Sequence, residues 1–261
     1  MIKERLSKLA KQNGIEKCGF AEGTFVALFP YYVKGERGNI SMYARGKEYH
    51  FVAEEKLRKI AEEMLTLGAT KAEIHVDKGE LDDRMAAYRA GLGFFGKNGM
   101  LICDDYGSYF FIGQIVHDLD VMPDCPVDKA CMGCSECIKR CTGQALQNGK
   151  FDVEKCVSHI SQKRGELSAK EEDLIRIGGL CWGCDVCQAV CPHNRDLETT
   201  AMPEFREGRI TSLELTDIDG ISNKEFKEKY RNYAFNWRGK GVLLRNLKIL
   251  SSAEDGKNEK E

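Results

Sequence analysis

The sequence predicts an α/β (α+β) domain followed by a small cysteine-rich module built like a two-cluster ferredoxin. Three observations carry this reading. Helix-like and strand-like hydrophobic patterns alternate over residues 1–124, two four-cysteine runs share one spacing within 125–200, and the last third is polar with helical pattern. The 261 residues suffice for one large domain or two modest ones, and a hydrophobic content of 42% supports a real core.

Taken in order, Ile2, Leu6 and Leu9 mark an opening helix. Val26 to Phe29, ending at Pro30, reads as a short strand. Leu57, Ile60, Ala61, Met64 and Leu65 have helical spacing, and Gly68 closes that helix. Ala72, Ile74 and Val76 alternate with polar residues, as in a half-buried strand ending at Asp77. Leu81, Met85, Tyr88 and Leu92 form another helical stripe, followed by the glycine-rich GLGFFGKNG; Tyr109 to Val116 is again strand-like. This alternation predicts a mixed sheet covered by helices. Pro123, Cys125 and Pro126 mark a boundary. Within the following module, Ser168 and Glu171 form an S-x-x-E capping box ahead of Leu174 and Ile177. Residues 201–250 read as a helical segment packing on the module, and the charged 251–261 as a flexible tail. Apart from the duplicated cysteine run there is no internal repeat.

Cys131, Cys134, Cys137 and Cys141 read C-x2-C-x2-C-x3-C. Cys181, Cys184, Cys187 and Cys191 repeat those gaps, and Pro192 follows the last. Two-residue gaps let a tight loop place three thiolates around one cubane, while the fourth cysteine points away and serves the other cluster. A zinc site would use paired C-x2-C motifs and close at four ligands. Two 4Fe-4S clusters are therefore expected. They need eight thiols, and Cys156 between the runs makes nine. Spacing alone favours Cys181 and leaves Cys156 as the alternative. Cys18, Cys103 and Cys125 read as small buried hydrophobes.

Twelve cysteines, and an amphipathic opening MIKERLSKLAKQNG without an apolar signal core, predict a reducing cytoplasm and metal ligation rather than disulfides. The apolar runs are too short to span a bilayer, so no membrane partner is expected. A net charge of -2 excludes a uniformly basic nucleic-acid binder. Between Lys224 and Lys248, however, eight Lys/Arg residues stand against two Glu, interleaved with Phe226, Tyr230, Tyr233, Phe235 and Trp237. Such a stretch binds phosphates and stacks bases, or else is a solvated helix whose aromatics pack inward. The five histidines share no metal-ligand spacing and read as structural or surface residues.

The stretch VDKGELDDRMAAYRAGLGFFGKNGMLI, then GSYFFIGQIV, resembles the epoxyqueuosine reductase family. So do ARGKEYH, CVSHISQKRGEL, WGCDVCQAVCPHN and GVLLRN, which extend the resemblance from about residue 25 to 248. The resemblance implies an N-terminal corrinoid-binding domain over 1–124 and a double 4Fe-4S module over 125–200. It implies cobalamin as cofactor, reduction of the epoxide of epoxyqueuosine in tRNA, and a reduced ferredoxin or flavodoxin as electron donor. It also implies two ligand sets: Cys131, Cys134, Cys137 and Cys191 for one cluster, and Cys141, Cys156, Cys184 and Cys187 for the other. Cys181 then becomes an adjacent spare. Thr142 departs from the proline usual after the first run, a loop-shaping position and not a ligand.

From its neighbours alone, Asp77 before Lys-Gly is a strand-end turn residue. The resemblance implies that it is the proton donor. Its pKa would be raised by desolvation against an apolar corrin face. Lys97 and Asn98, in a glycine-bounded loop, are candidates for the corrin periphery, since amide and ammonium groups suit propionamide side chains. Ser161 and Gln162 are candidates from the cluster side. Two other functions compete: a corrinoid iron–sulfur reductase acting on another substrate, and a non-enzymatic two-cluster electron carrier serving a corrinoid protein. The first is motivated by helical repeats in longer relatives, which this chain lacks after GVLLRN.

Overall fold

The computed structural model describes residues 2–77, 82–147 and 149–258, with side chains to 252. The chain forms two compact units, each assembled from three segments. Met1–Tyr32, Tyr49–Gly133 and His193–Glu204 make the first; Val33–Glu48, Cys134–Pro192 and Phe205–Glu261 make the second. The cysteine-rich region is thus divided differently from the linear boundaries at 124/125 and 200/201. Hydrophobic pattern along a sequence cannot reveal such an exchange of short segments.

In the first unit, α1 (Ile2–Gln12) precedes the hairpin β1 (Lys17–Ala21) and β2 (Thr24–Pro30). Then come α2 (Tyr49–Thr66), β3 (Ala72–His75), α3 (Asp83–Arg89), the short pair β4 (Phe94–Phe95) and β5 (Leu101–Ile102), and β6 (Phe110–His117). The main sheet has the order β1-β2-β6-β3. The expected mixed sheet is corrected here, because every adjacent pair is antiparallel. A two-residue turn, Glu22–Gly23, forces β1 and β2 to oppose, with Ala21 paired to Thr24. β2 and β3 do run the same way across α2. β6 lies between them, however, pairing Ile115 with Phe25 on one side and Ile74 on the other. β1, KCGFA, carries too little alternation to be legible beforehand.

Both faces of β2 are covered, which explains a continuous apolar run rather than alternation. Val26 and Leu28 pack with Ala86, Ala87, Ala90 and Leu92 from α3 and its exit. On the other face α2 presses close. A Cβ on Gly113 would lie 2.8 Å from Leu57 Cδ1 and 3.0 Å from Phe29 Cε2. Full burial of Phe25 and Phe29 contributes about 1.5–3 kcal/mol each. Asp82 starts α3 as its N-cap, accepting from Arg84 N and Met85 N at 3.0 Å each. Leu81 of the expected stripe lies outside the described residues. Leu92 lies past the helix end yet in the same core.

The second unit is a set of short helices around loops: α4 (Glu136–Lys139), the pair β7 (Leu146–Gln147) and β8 (Lys150–Phe151), α5 (Val157–Ile160), α6 (Ala169–Gly178) and α7 (Val186–Ala189). After α8 (Pro203–Arg206), where the chain passes between units, come α9 (Leu215–Ile218), α10 (Asn223–Lys229) and α11 (Lys240–Asn258). Trp182, Phe226, Phe235 and Leu243 are fully buried at its centre. The expected capping box opens α6. Ser168 accepts from Glu171 N, and the Glu171 carboxylate accepts from Ser168 N at 2.9 Å. α11 runs on through residues 251–258, into the stretch read as a tail. Extending an anchored helix adds one hydrogen bond per residue fixed, and no proline interrupts this stretch. Residues 259–261 lie outside the described residues. Among the described residues no helix is long and apolar enough to cross a membrane.

Candidate cofactor and proton-transfer sites

In the first unit, β3 delivers Asp77 two residues past its last paired position. Its φ of +54° lies in the left-handed region, which aspartate tolerates better than most residues. Tyr49, opening α2, donates its hydroxyl hydrogen to Asp77 Oδ2. The Tyr49 ring is fixed from both sides: it stacks on Phe111 at 4.2 Å and 4°, and on His50 at 4.2 Å and 28°. His50 Nε2 stands 4.0 Å from the same Oδ2. Tyr49 and His50 belong to ARGKEYH, but no role for them is legible without the fold; the reading of His50 as an ordinary histidine is revised.

Beside Asp77 lies Asp83, the first residue of α3. Its Oδ2 accepts from Asp77 N at 3.2 Å, and its Oδ1 accepts from Gln114 Nε2 of β6. Burial pushes the Asp83 carboxyl above its ordinary value. The Gln114 hydrogen bond partly offsets this, and the negative charge of Asp77 adds to the rise. Asp77, Asp83, Met100, Phe110, Phe111 and Ile112 line a cavity of about 460 Å³. The Asp77 side chain is 56% exposed and opens onto this cavity. The half-buried carboxylate of the pair is Asp83.

Lys97 and Asn98 form the turn between β4 and β5. Asn98 is buried and its Oδ1 accepts from Met100 N at 3.2 Å, so it shapes the turn. Lys97 Nζ donates to Gly133 O at 3.2 Å.

In the second unit, Cys137 sits on α4 and Cys187 on α7, the third thiol of each run, with Cys141 and Cys191 just past the helix ends. Burial, then neighbouring charges that include Cys156 and Cys141, pushes the Cys184 thiol up to about 11. Burial and the neighbouring Cys184, Cys156, Cys141 and Cys137 push Cys187 up to about 12. The fold thus gathers Cys141, Cys156, Cys184 and Cys187. Cys181 is different. Burial alone raises its thiol to about 12, its Sγ lies 3.5 Å from Asn39 Oδ1, and it packs in the core with Trp182 and Phe235. Buried thiols that resist ionisation suit iron, whose positive charge stabilises thiolates that burial disfavours. Among the described residues no three His, Cys, Asp or Glu side chains stand close enough to hold a single metal ion.

The cluster loops are braced by polar side chains. Asp185 accepts from Ser41 Oγ and from Met42 N at 2.8 Å. Gly183 has φ +75°, and a Cβ there would stand 2.4 Å from Ser41 Cβ. Ser161 is fully buried; its hydroxyl donates to Ser158 O and accepts from Gly183 N, each at 2.9 Å. That hydroxyl thereby holds the loop that carries Gly183. Gln162 donates to Ser158 O at 3.1 Å and accepts from Trp237 Nε1 at 3.2 Å. Asn246 of GVLLRN is completely buried and donates to Ser161 O at 2.7 Å and Cys181 O at 2.8 Å. In the basic stretch Phe226, Tyr230 and Phe235 pack inward, whereas Trp237 is 55% exposed under the Arg238 guanidinium at 3.5 Å.

These features define an iron–sulfur protein with an α/β unit carrying a carboxylate-lined cavity. Residues 130–194 match the 4Fe-4S double cluster binding domain, and residues 25–78 match the model described as epoxyqueuosine reductase QueG, DUF1730. An epoxyqueuosine reductase of Lactococcus garvieae (strain Lg2) is 38% identical over 230 residues, covering 87% of this chain and 65% of that protein. The structure of epoxyqueuosine reductase from Streptococcus thermophilus aligns with a TM-score of 0.86 at 27% identity, covering 98% of this chain and 82% of that one. A crystal structure of epoxyqueuosine reductase with an epoxyqueuosine-modified tRNA-Tyr stem loop aligns at 0.84 and 29% identity, covering 95% and 80%. Over most of its length the chain is similar to epoxyqueuosine reductases. It spans just under two thirds of the length of the Lactococcus relative.

Proposed function

We propose that this chain is a cobalamin-dependent iron–sulfur reductase that removes the epoxide oxygen of epoxyqueuosine in tRNA. Cys131, Cys134, Cys137 and Cys191 would hold one 4Fe-4S cluster, and Cys141, Cys156, Cys184 and Cys187 the other. The mutual proximity of the second set, and the burial of Cys181 against Asn39, support that division. The observation that carries the function is Asp77 at the rim of the 460 Å³ cavity, between Tyr49 and Asp83. The apolar floor of Met100, Phe110, Phe111 and Ile112 fits a flat ligand face, and the volume suits a nucleoside-sized group. A whole corrin needs surface beyond this cavity; Lys97 and Asn98 of the same unit would supply polar contacts to it.

Bound cobalamin supplies a low-potential cobalt that delivers electrons received through the clusters from a reduced ferredoxin or flavodoxin. Removing an epoxide oxygen as water consumes two electrons and two protons, so the protein must place a proton at the leaving oxygen. Tyr49 and His50 both address Asp77 Oδ2, so among the described residues Oδ1 is the oxygen left to hold a transferable proton. The stacked Tyr49 ring keeps that carboxyl in one orientation.

The test is anaerobic. Reconstituted protein is titrated with cob(II)alamin and followed by electron paramagnetic resonance. It is then given a low-potential reductant and an epoxyqueuosine stem-loop RNA, and nucleosides are quantified by mass spectrometry. Stoichiometric cobalamin binding with queuosine formation is expected. Intact clusters without cobalamin binding would overturn the proposal and leave an electron carrier. Binding without turnover of this RNA would point to another substrate.

A further inference from the structure

Asp77 occupies a left-handed backbone conformation at the end of a strand. Something must hold it there if its carboxyl is to keep one direction. The Asp83 carboxylate accepts the Asp77 backbone N–H at 3.2 Å. Asp83 is itself fixed at two points, and its partner is buried. Its backbone begins α3 behind the Asp82 N-cap, its Oδ1 takes a hydrogen from Gln114, and Gln114 is 1% exposed in the middle of β6. The chain leaving β3 is thereby tied, through one side chain, to β6, which is paired on both sides by β2 and β3. Tyr49 holds the Asp77 side chain and Asp83 holds its backbone, and both act at the edge of one cavity.

We infer that Asp83 is a positioning residue for Asp77: its carboxylate accepts the Asp77 amide and links it to Gln114 on β6. This inference rests on the catalytic role proposed for Asp77, and it carries its own geometric test. The role requires an acceptor for the Asp77 N–H and a group that bonds Gln114; it does not require a charge. Asparagine meets both needs. Its carbonyl oxygen accepts from Asp77 N, and its amide donates to Gln114 Oε1, a buried atom without a hydrogen-bond partner among the described residues, once the Gln114 amide turns over. Alanine meets neither.

The experiment compares parent, Asp83→Ala and Asp83→Asn as cluster-loaded protein, with two readouts. The first is hydrogen exchange of the Asp77 amide. Exchange is expected to accelerate about tenfold or more in Asp83→Ala and to stay near the parent rate in Asp83→Asn. The second is single-turnover kinetics on the epoxyqueuosine stem loop. The rate constant is expected to fall about 10- to 100-fold in Asp83→Ala with KM within about twofold, and Asp83→Asn is expected to recover most of that loss. Iron content and cobalamin affinity at parent levels confirm that the variants are folded. Unchanged Asp77 exchange in Asp83→Ala overturns the inference. So does an Asparagine variant as impaired as the alanine one in both readouts. An inactive parent whose Asp77 amide is still deprotected by Asp83→Ala upholds the positioning role while sinking the proposed reaction.

Discussion

Asp77 is proposed to hold the transferable proton, so Asp77→Asn keeps shape and hydrogen bonding but removes the acid. A fall in single-turnover rate of about 10²- to 10⁴-fold is expected, with cobalamin binding intact. A parent-like rate would remove Asp77 from the chemistry. Cys156 and Cys181 compete for one ligand position; spacing favours Cys181, whose thiol faces Asn39 in the core. Iron should stay near about eight per chain in Cys181→Ala and fall towards about four in Cys156→Ala. The reverse pattern would refute the ligand division. The sequence shows nine thiols of equal standing; only the fold separates a buried core cysteine from those that neighbour one another. Asp83 was not legible at all. It is one acidic letter in a run of acidic letters until β6 places Gln114 against it.

At the scale of elements, the legible features are those with local causes. The Ser168 capping box is one, since its partners are three residues apart. Ser168→Ala should lower stability by about 1 kcal/mol in urea unfolding. Glu171 adds a pH dependence. Its hydrogen bonds to Lys163 and to Ser168 hold its carboxyl down to about 2 in the fold, against an ordinary 4.5. A depressed folded value stabilises above the unfolded pKa. The advantage over Glu171→Gln should therefore be complete above about pH 4.5 and shrink as pH falls towards 2. A constant difference across that window would show that the charge is irrelevant. The role of α11 was hidden, because Asn246 acts on carbonyls far away in sequence, at Ser161 and Cys181. Asn246→Ala leaves both buried acceptors without this donor. A loss of about 2–4 kcal/mol is expected, together with faster iron release to a chelator. The mixed-sheet expectation failed for a related reason. β2 and β3 run the same way across α2, but β6 enters between the two strands from later in the chain.

For the molecule as a whole, composition and motif order reached further than periodicity did. The cysteine runs and the ordered stretches from ARGKEYH to GVLLRN indicated the family, which the comparisons bear out. The division into units escaped the sequence, because each unit borrows a short segment from the other's stretch of chain. That interleaving has a consequence for how the protein is made. The sheet strands have all left the ribosome once His117 has emerged. Yet Thr200, which donates its N–H to Tyr32 O at 2.8 Å and its hydroxyl hydrogen to Pro30 O at 2.7 Å, is synthesised much later, as is Glu204, the partner of Lys56 at 2.9 Å. During that interval the nascent sheet waits with the end of β2 uncapped, while every cysteine of the metal centres is being translated. Iron delivery and completion of the first unit therefore fall in the same late window of synthesis, and a stalled or truncated nascent chain would present both an unfinished sheet edge and unmetallated thiols to the cell's quality control.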